Sequence, residues 1–118
     1  MRILGFSKKW RKLHQSEFTT FRFPRKDRDW STGEVVQIVF KPRSKDHERL
    51  GIAEITNSEP RYFYNPNEDV PTKQLMGHSE AERDGFKDYY DMRDWLKKVY
   101  GNRIYRKPMN KLTLRWIK

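Results

Sequence analysis

The apolar residues of this chain change their spacing partway along, and that change restricts the fold more than any other feature. Early segments alternate. Phe18-Thr19-Thr20-Phe21-Arg22-Phe23, Glu34 to Phe40 and Leu50 to Ile55 each read as a strand, because successive side chains of an extended chain point to opposite faces. Later the spacing becomes helical, with Tyr89, Met92, Leu96 and Val99 on one stripe. Alternation returns at the end, where Leu112, Leu114 and Trp116 interleave with Thr113, Arg115 and Ile117. Strands first, two consecutive helices later and a final strand predict an α+β fold. Short strands at this spacing predict a small, strongly bent sheet or barrel.

Punctuating residues set the element ends. Arg2 to Phe6 reads as the first strand, and Ser7 as the N-cap of a helix from Lys8 to about Gln15 that buries Trp10 and Leu13. Pro24 and Pro42 stop the second and third strands. A further short strand is predicted at Arg61 to Tyr64, then a long loop from Asn65 to Gly77 that either packs on the surface or covers a cleft. Ser79 with Glu82 forms a capping box for a short helix that Gly85 stops. Asp88 caps the longer helix, which runs to Tyr100 with Lys97 and Lys98 in its last turn and Gly101 beyond. Lys111 to Lys118 closes the chain.

At 118 residues the chain is a single domain, 1–118, large enough for one core but not two. Only 35% of residues are hydrophobic, but 14% are aromatic, and each aromatic ring buries a large area. The absence of cysteine excludes disulfides and Cys-based zinc sites and fits a reducing cytoplasm. No apolar run approaches the ~20 residues of a membrane span, and Met1 to Phe6 lacks the apolar stretch of a signal peptide. His14, His47 and His78 are scattered without metal-ligand spacing, and no glycine-rich phosphate loop or nucleophile elbow is present. No metal and no cofactor is expected.

Charge narrows the partner. Lys plus Arg minus Asp plus Glu is 26 − 16 = +10, which favours a polyanion such as RNA. Lys8, Lys9, Arg11 and Lys12 form one cluster, and Arg22, Arg25, Lys26 and Arg28 another. Strand parity places Phe18, Thr20 and Arg22 on one face, read as a rim, and Thr19, Phe21 and Phe23 on the core side. Arg22 suits bidentate phosphate binding or stacking on a base; its plainer role is an ion pair with Asp84 or Glu82. Asp84 either orients a ligand or closes its helix before Gly85. Trp10 is a stacking platform or, as its spacing with Leu13 favours, a core residue. Trp30, beside the charged loop Arg25 to Asp29, is an exposed aromatic or a loop anchor.

In their order, these elements resemble the ASCH domain family of the PUA-like superfamily. The resemblance rests on Ile3 to Leu13, Thr19-Thr20-Phe21-Arg22, Gly33 to Phe40, Gly51-Ile52-Ala53-Glu54-Ile55, Asp84-Gly85-Phe86, Val99-Tyr100-Gly101 and the final strand. It implies a PUA-like barrel with flanking helices and a cleft beside the first helix, and RNA or a modified nucleoside as ligand. One branch of that family removes the acetyl group of N4-acetylcytidine with a Lys-Thr-x-Thr-x-Arg motif and a carboxylate on the later helix. That motif maps onto Thr20, Arg22 and Asp84, with Thr20 and Asp84 as the chemical groups. Its lysine position is Glu17 here, and its first threonine is Phe18. Without that cation the resemblance favours binding over catalysis. Other ASCH proteins are ribonucleases, and an acidic protein partner would also suit the charge. The expected ligand-contacting set is Lys8, Lys9, Arg11, Lys12, Thr20, Arg22, Arg25, Lys26 and Trp30, with Glu82 and Asp84 orienting.

Overall fold

The computed structural model describes residues 1–64 and 74–117. It is an α+β fold with strands β1 (Arg2–Phe6), β2 (Glu17–Arg22), β3 (Val35–Phe40), β4 (Glu48–Arg61) and β5 (Met109–Trp116) and helices α1 (His78–Arg83) and α2 (Tyr89–Tyr100). The strands form one mixed sheet in the order β1-β3-β4-β5-β2, with β1 parallel to β3 and the other pairs antiparallel. Among the described residues β1 and β2 share no ladder, so the sheet is open and these two strands are its edges. No helix among the described residues is long and apolar enough to cross a membrane.

The sheet bends through β4. Its first half pairs with β3 up to Glu54, and its register with β5 slips between Ile55 and Asn57 before continuing to Arg61. The sequence predicts a strand only over Leu50 to Ile55, because Thr56-Asn57-Ser58-Glu59-Pro60 lacks apolar alternation and ends in proline. Past Glu54, β3 no longer flanks β4, so the strand is an edge there and tolerates Pro60, which has no N–H to donate. The separate strand expected at Arg61 to Tyr64 is absent. Arg61 ends β4, and Tyr62 makes an isolated bridge with Leu75. Most of the loop expected over Asn65 to Gly77 lies outside the described residues.

Both faces of β2 are buried, which corrects the rim-and-core reading of its parity. Phe18 joins Leu4, Phe6, Val36, Ile55 and Leu114 in one apolar cluster. Phe21 and Phe23, on the other face, join Met92, Leu96, Ile104 and Met109 in a second, packed by the helices. Trp10 contacts both clusters and joins what would otherwise be two small cores.

The segment after β1 is not the expected helix. Ser7 caps nothing, and only Arg11–His14 forms a 3₁₀ turn. Helix α1 starts from Gly77, whose N–H donates to Glu80 at 3.3 Å, and not from a Ser79–Glu82 box. It ends as expected at Gly85, through a Schellman pair in which Phe86 N–H reaches Ala81 O and Gly85 N–H reaches Glu82 O. Gly85 has φ +105°, a backbone conformation that favours glycine, and a Cβ there would press on the Trp10 ring at 3.1 Å. Asp88 caps α2 by accepting from Asp91 N–H at 2.9 Å.

The charged loop 25–29 is anchored from β1. Arg2 holds Glu34 with two hydrogen bonds, donates to the Asp29 carbonyl at 2.9 Å and lies 4.3 Å over Trp30. Trp30 is only 7% exposed and belongs to the core, so it is the loop's anchor and not an exposed stacking surface. The Arg2 hydrogen bond holds the Glu34 carboxyl below its usual range. Such a group contributes stability above the ordinary carboxylate pKa and loses it as pH falls through the lowered value. Glu34→Gln is therefore expected to cost about 1 kcal/mol at pH 7, and the difference from the native chain should close on acidification, read by urea unfolding at stepped pH.

Candidate functional site

A cavity of about 210 Å³ lies at the gap between the open edges, lined by residues of β1, β2, the 3₁₀ segment, the turn after α1 and helix α2. Because β2 is an edge strand, residues from both of its faces reach this gap. Phe6, Trp10, Phe86, Trp95 and Tyr100 supply aromatic walls. Lys12, Thr20, Arg22 and Asp84 supply the polar groups. The volume is below the ~300–1,000 Å³ that encloses a drug-sized ligand, and suits a single ring or small headgroup.

The polar floor is built on a buried ion pair. Lys12 Nζ lies 2.9 Å from Asp84 Oδ1, and each residue is only 4% exposed. The same carboxylate oxygen accepts from Thr19 Oγ1 at 3.0 Å. Asp84 is placed by its position as the C-cap of α1, where the Schellman turn at Gly85 directs the chain back under Trp10. Burial pushes the Asp84 carboxyl up against the pull of Lys12, and burial pushes the Lys12 ammonium down against the pull of Asp84.

Arg22 forms the other half of the floor. Its Nε donates to Thr20 Oγ1 at 3.1 Å, and its Nη2 donates to the Gly5 carbonyl at 2.7 Å, tying β2 to β1 across the opening. The guanidinium lies 4.8 Å over the Phe6 ring, and Lys12 Nζ lies 5.6 Å from the same ring. No ion pair to Arg22 forms among the described residues; Asp84 pairs with Lys12 instead. Among the described residues Arg22 Nη1 and Asp84 Oδ2 have no hydrogen-bond partner, and both residues line the cavity. A guanidinium and a carboxylate thus line the same small space.

Several expected site residues stand elsewhere. Lys12 is not a surface cation. Glu82 is exposed and outside the cavity wall, while Glu80 of the same helix binds Arg61 and Lys111. Arg25 and Lys26 are exposed on the 25–29 loop, and Arg25 pairs with Asp27 at 3.2 Å. Lys8, Lys9 and Arg11 are exposed on the segment that carries Trp10; Lys9 pairs with Glu48, whereas Lys8 and Arg11 make no ion pair among the described residues. The sequence reading missed Trp95, yet Met92, Trp95, Leu96 and Val99 have the i, i+3, i+4, i+7 spacing of one helical face. Phe6 and Tyr100 carry no local signal, because topology alone brings them together.

A larger recess of about 570 Å³ lies between Tyr64, His78, Tyr89, Tyr90 and Tyr105. Among the described residues its lining cation, Arg93, pairs with Asp94, and no comparable set of convergent charges lines it. No family model, curated protein or solved structure matches this chain.

The buried pair makes a strong thermodynamic statement. Removing one partner leaves an uncompensated buried charge, so Lys12→Met or Asp84→Leu alone should cost about 3 kcal/mol. Replacing both with apolar groups, Lys12→Met with Asp84→Leu, should recover stability to within about 1 kcal/mol of the native chain. Urea unfolding of the three variants at neutral pH checks this, and additive losses in the double variant would show that the two charges are not coupled.

Proposed function

We propose that this chain is an RNA-binding module of the PUA-like kind, in which basic surface supplies affinity and the small cavity takes a base or a modified nucleoside. One observation carries this reading: a guanidinium, Arg22, and a carboxylate, Asp84, both line an aromatic-walled space of about 210 Å³. A nucleobase presents donors and acceptors side by side along its edge and a flat face for aromatic contact, which that combination complements. The ligand enters a site whose charges are already positioned, Arg22 by Thr20 and Gly5, Asp84 by Lys12 and Thr19. The net charge of +10 supports a polyanionic partner, and exposed Lys8, Lys9 and Arg11 lie in the chain segment that forms one wall.

Hydrolysis of a modified nucleoside is the second reading, favoured by one feature. Lys12 beside Asp84 supplies the ammonium that Glu17 does not, and burial moves both groups toward their neutral forms, which suits proton transfer. The nucleophile is what this reading lacks. Thr20 lines the cavity, but its hydroxyl is held by a donor, Arg22, and Thr19, which bonds a carboxylate, is not among the lining residues. Binding is the better account.

Titration with nucleosides and short single-stranded RNA, read by Trp fluorescence, tests the proposal. Arg22→Ala should weaken binding by about 10- to 100-fold and Arg22→Lys should not rescue it, since an ammonium lacks the planar fork. Full binding by the lysine variant would reduce Arg22 to a point charge. Alanine at Lys8, Lys9 and Arg11 together should lower the slope of log affinity against log salt by about 2, at ~0.7 per single-strand phosphate. Release of cytidine from N4-acetylcytidine, followed by chromatography, would replace the binding reading with the hydrolytic one.

A further inference from the structure

Trp10 is a wall of two cavities. Beyond it lies a second recess of about 380 Å³, lined by Lys9, Trp10, Leu13, His14, Leu50 and Trp116. Its character differs from the first. Among the described residues no carboxylate lines it, and its walls are two indoles and two leucines, with Lys9 and His14 as the polar members. We propose that this recess takes the base adjoining the one in the charged cavity, so that the ligand is single-stranded RNA of two or more nucleotides and not a free nucleoside.

Three observations carry the inference, which rests on the RNA-binding reading above. First, both indoles are held in place by the protein's own contacts. Trp10 packs at 5.0 Å from Phe86 and 5.5 Å from Trp95, over the space left by Gly85. Trp116 packs 5.2 Å from Phe18 and donates from Nε1 to the Leu13 carbonyl at 3.1 Å. Aromatic rings fixed before the ligand arrives lose little freedom on binding, and every base has a face to lay against them. Second, the chemistry of the two recesses is complementary. The charged cavity can discriminate by hydrogen bonds, whereas the apolar one, with few polar atoms, accepts any flat ring. Third, a ligand filling both must pass its backbone over the Trp10 ridge, and the ridge is cationic. Lys8 Nζ stands 4.4 Å from the Trp10 ring centre, and neither Lys8 nor Arg11 makes an ion pair among the described residues. A linking phosphodiester would meet positive charge where it crosses.

The test uses the full chain and four homotrinucleotides of RNA, each compared with a counterpart carrying one abasic residue at either end, by fluorescence anisotropy at fixed salt. The abasic strand keeps its phosphates and loses only a base. The expected result is about tenfold weaker binding for an abasic residue at one end, and single nucleosides weaker still. Trp116→Leu should lower affinity for the intact strand to that of the abasic one, while leaving binding of the abasic strand unchanged. Leu50→Gln, at the partly exposed wall, serves the same purpose without touching the Phe18 contact. Equal binding of intact and abasic strands at both ends would overturn the second base site and leave the RNA-binding reading standing. Failure of every nucleoside and strand to bind would remove both. Self-association or capture of apolar peptide that Leu50→Gln abolishes, with base-independent RNA binding, would make the recess a protein-docking site and overturn the proposal.

Discussion

The contact between Lys12 and Asp84 joins parts of the chain that secondary structure leaves apart. β1 and β2 are the outer strands of an open sheet, and no ladder holds them together among the described residues. In place of a ladder, side chains span the gap. Arg22 reaches from β2 to the Gly5 carbonyl, Thr19 reaches from β2 to Asp84, and Lys12 reaches from the 3₁₀ turn to the same carboxylate. The gap is thus closed by polar side chains around a space, where further strand pairing would have filled it. Two buried charges are a poor choice for stability alone, since matched apolar residues would serve as well. Both charges of the pair line the cavity at that gap, beside Arg22.

Net charge overstates the cationic surface available to a ligand. Many of the basic residues are already engaged: Arg2 by Glu34, Lys9 by Glu48, Arg25 by Asp27, Arg61 and Lys111 by Glu80, Arg115 by Glu54. Lys12 is consumed by the floor itself. Exposed pairs of this kind exchange readily with solvent and are worth little, so Lys9 and Arg25 remain accessible to a competing phosphate. Arg61 and Lys111 are different, because both are largely enclosed and share one carboxylate, which ties β4 and β5 to α1.

What the sequence disclosed follows a physical boundary. Where an element's chemistry is local, the reading was close: the Asp88 cap, the Gly85 stop and the alternation of β2, β3 and β5 are all encoded within a few residues. Where neighbours decide, it failed. The polar half of β4 is a strand because β5 pairs with it, and no residue from Thr56 to Pro60 announces that partner. Residues 8–15 have helical apolar spacing, yet Trp10 must bridge two clusters and Lys12 must reach Asp84, and an extended approach to a short 3₁₀ turn achieves both. Thr20, Arg22 and Asp84 were identified from strand parity and a family resemblance, and they line one cavity. Lys12 was assigned to the wrong environment, since a lysine among basic neighbours gives no sign that its acidic partner lies 72 residues away.

In the proposed binding reading, shape and charge divide the work of recognition between them. Lys8, Lys9 and Arg11 are exposed, so in that reading they contribute long-range attraction that added salt screens. Arg22 and Asp84 are enclosed, each fixed by two hydrogen bonds to the protein, so their contribution depends on fit and is far less sensitive to salt. Trp10 stands between these two regimes. Its ring is braced by Phe86 and Trp95 on the cavity side, carries Lys8 over its face, and lies so close to Gly85 that a Cβ there would press on it at 3.1 Å. Any side chain at position 85 would therefore act twice, straining the turn that places Asp84 and displacing the wall that both recesses share.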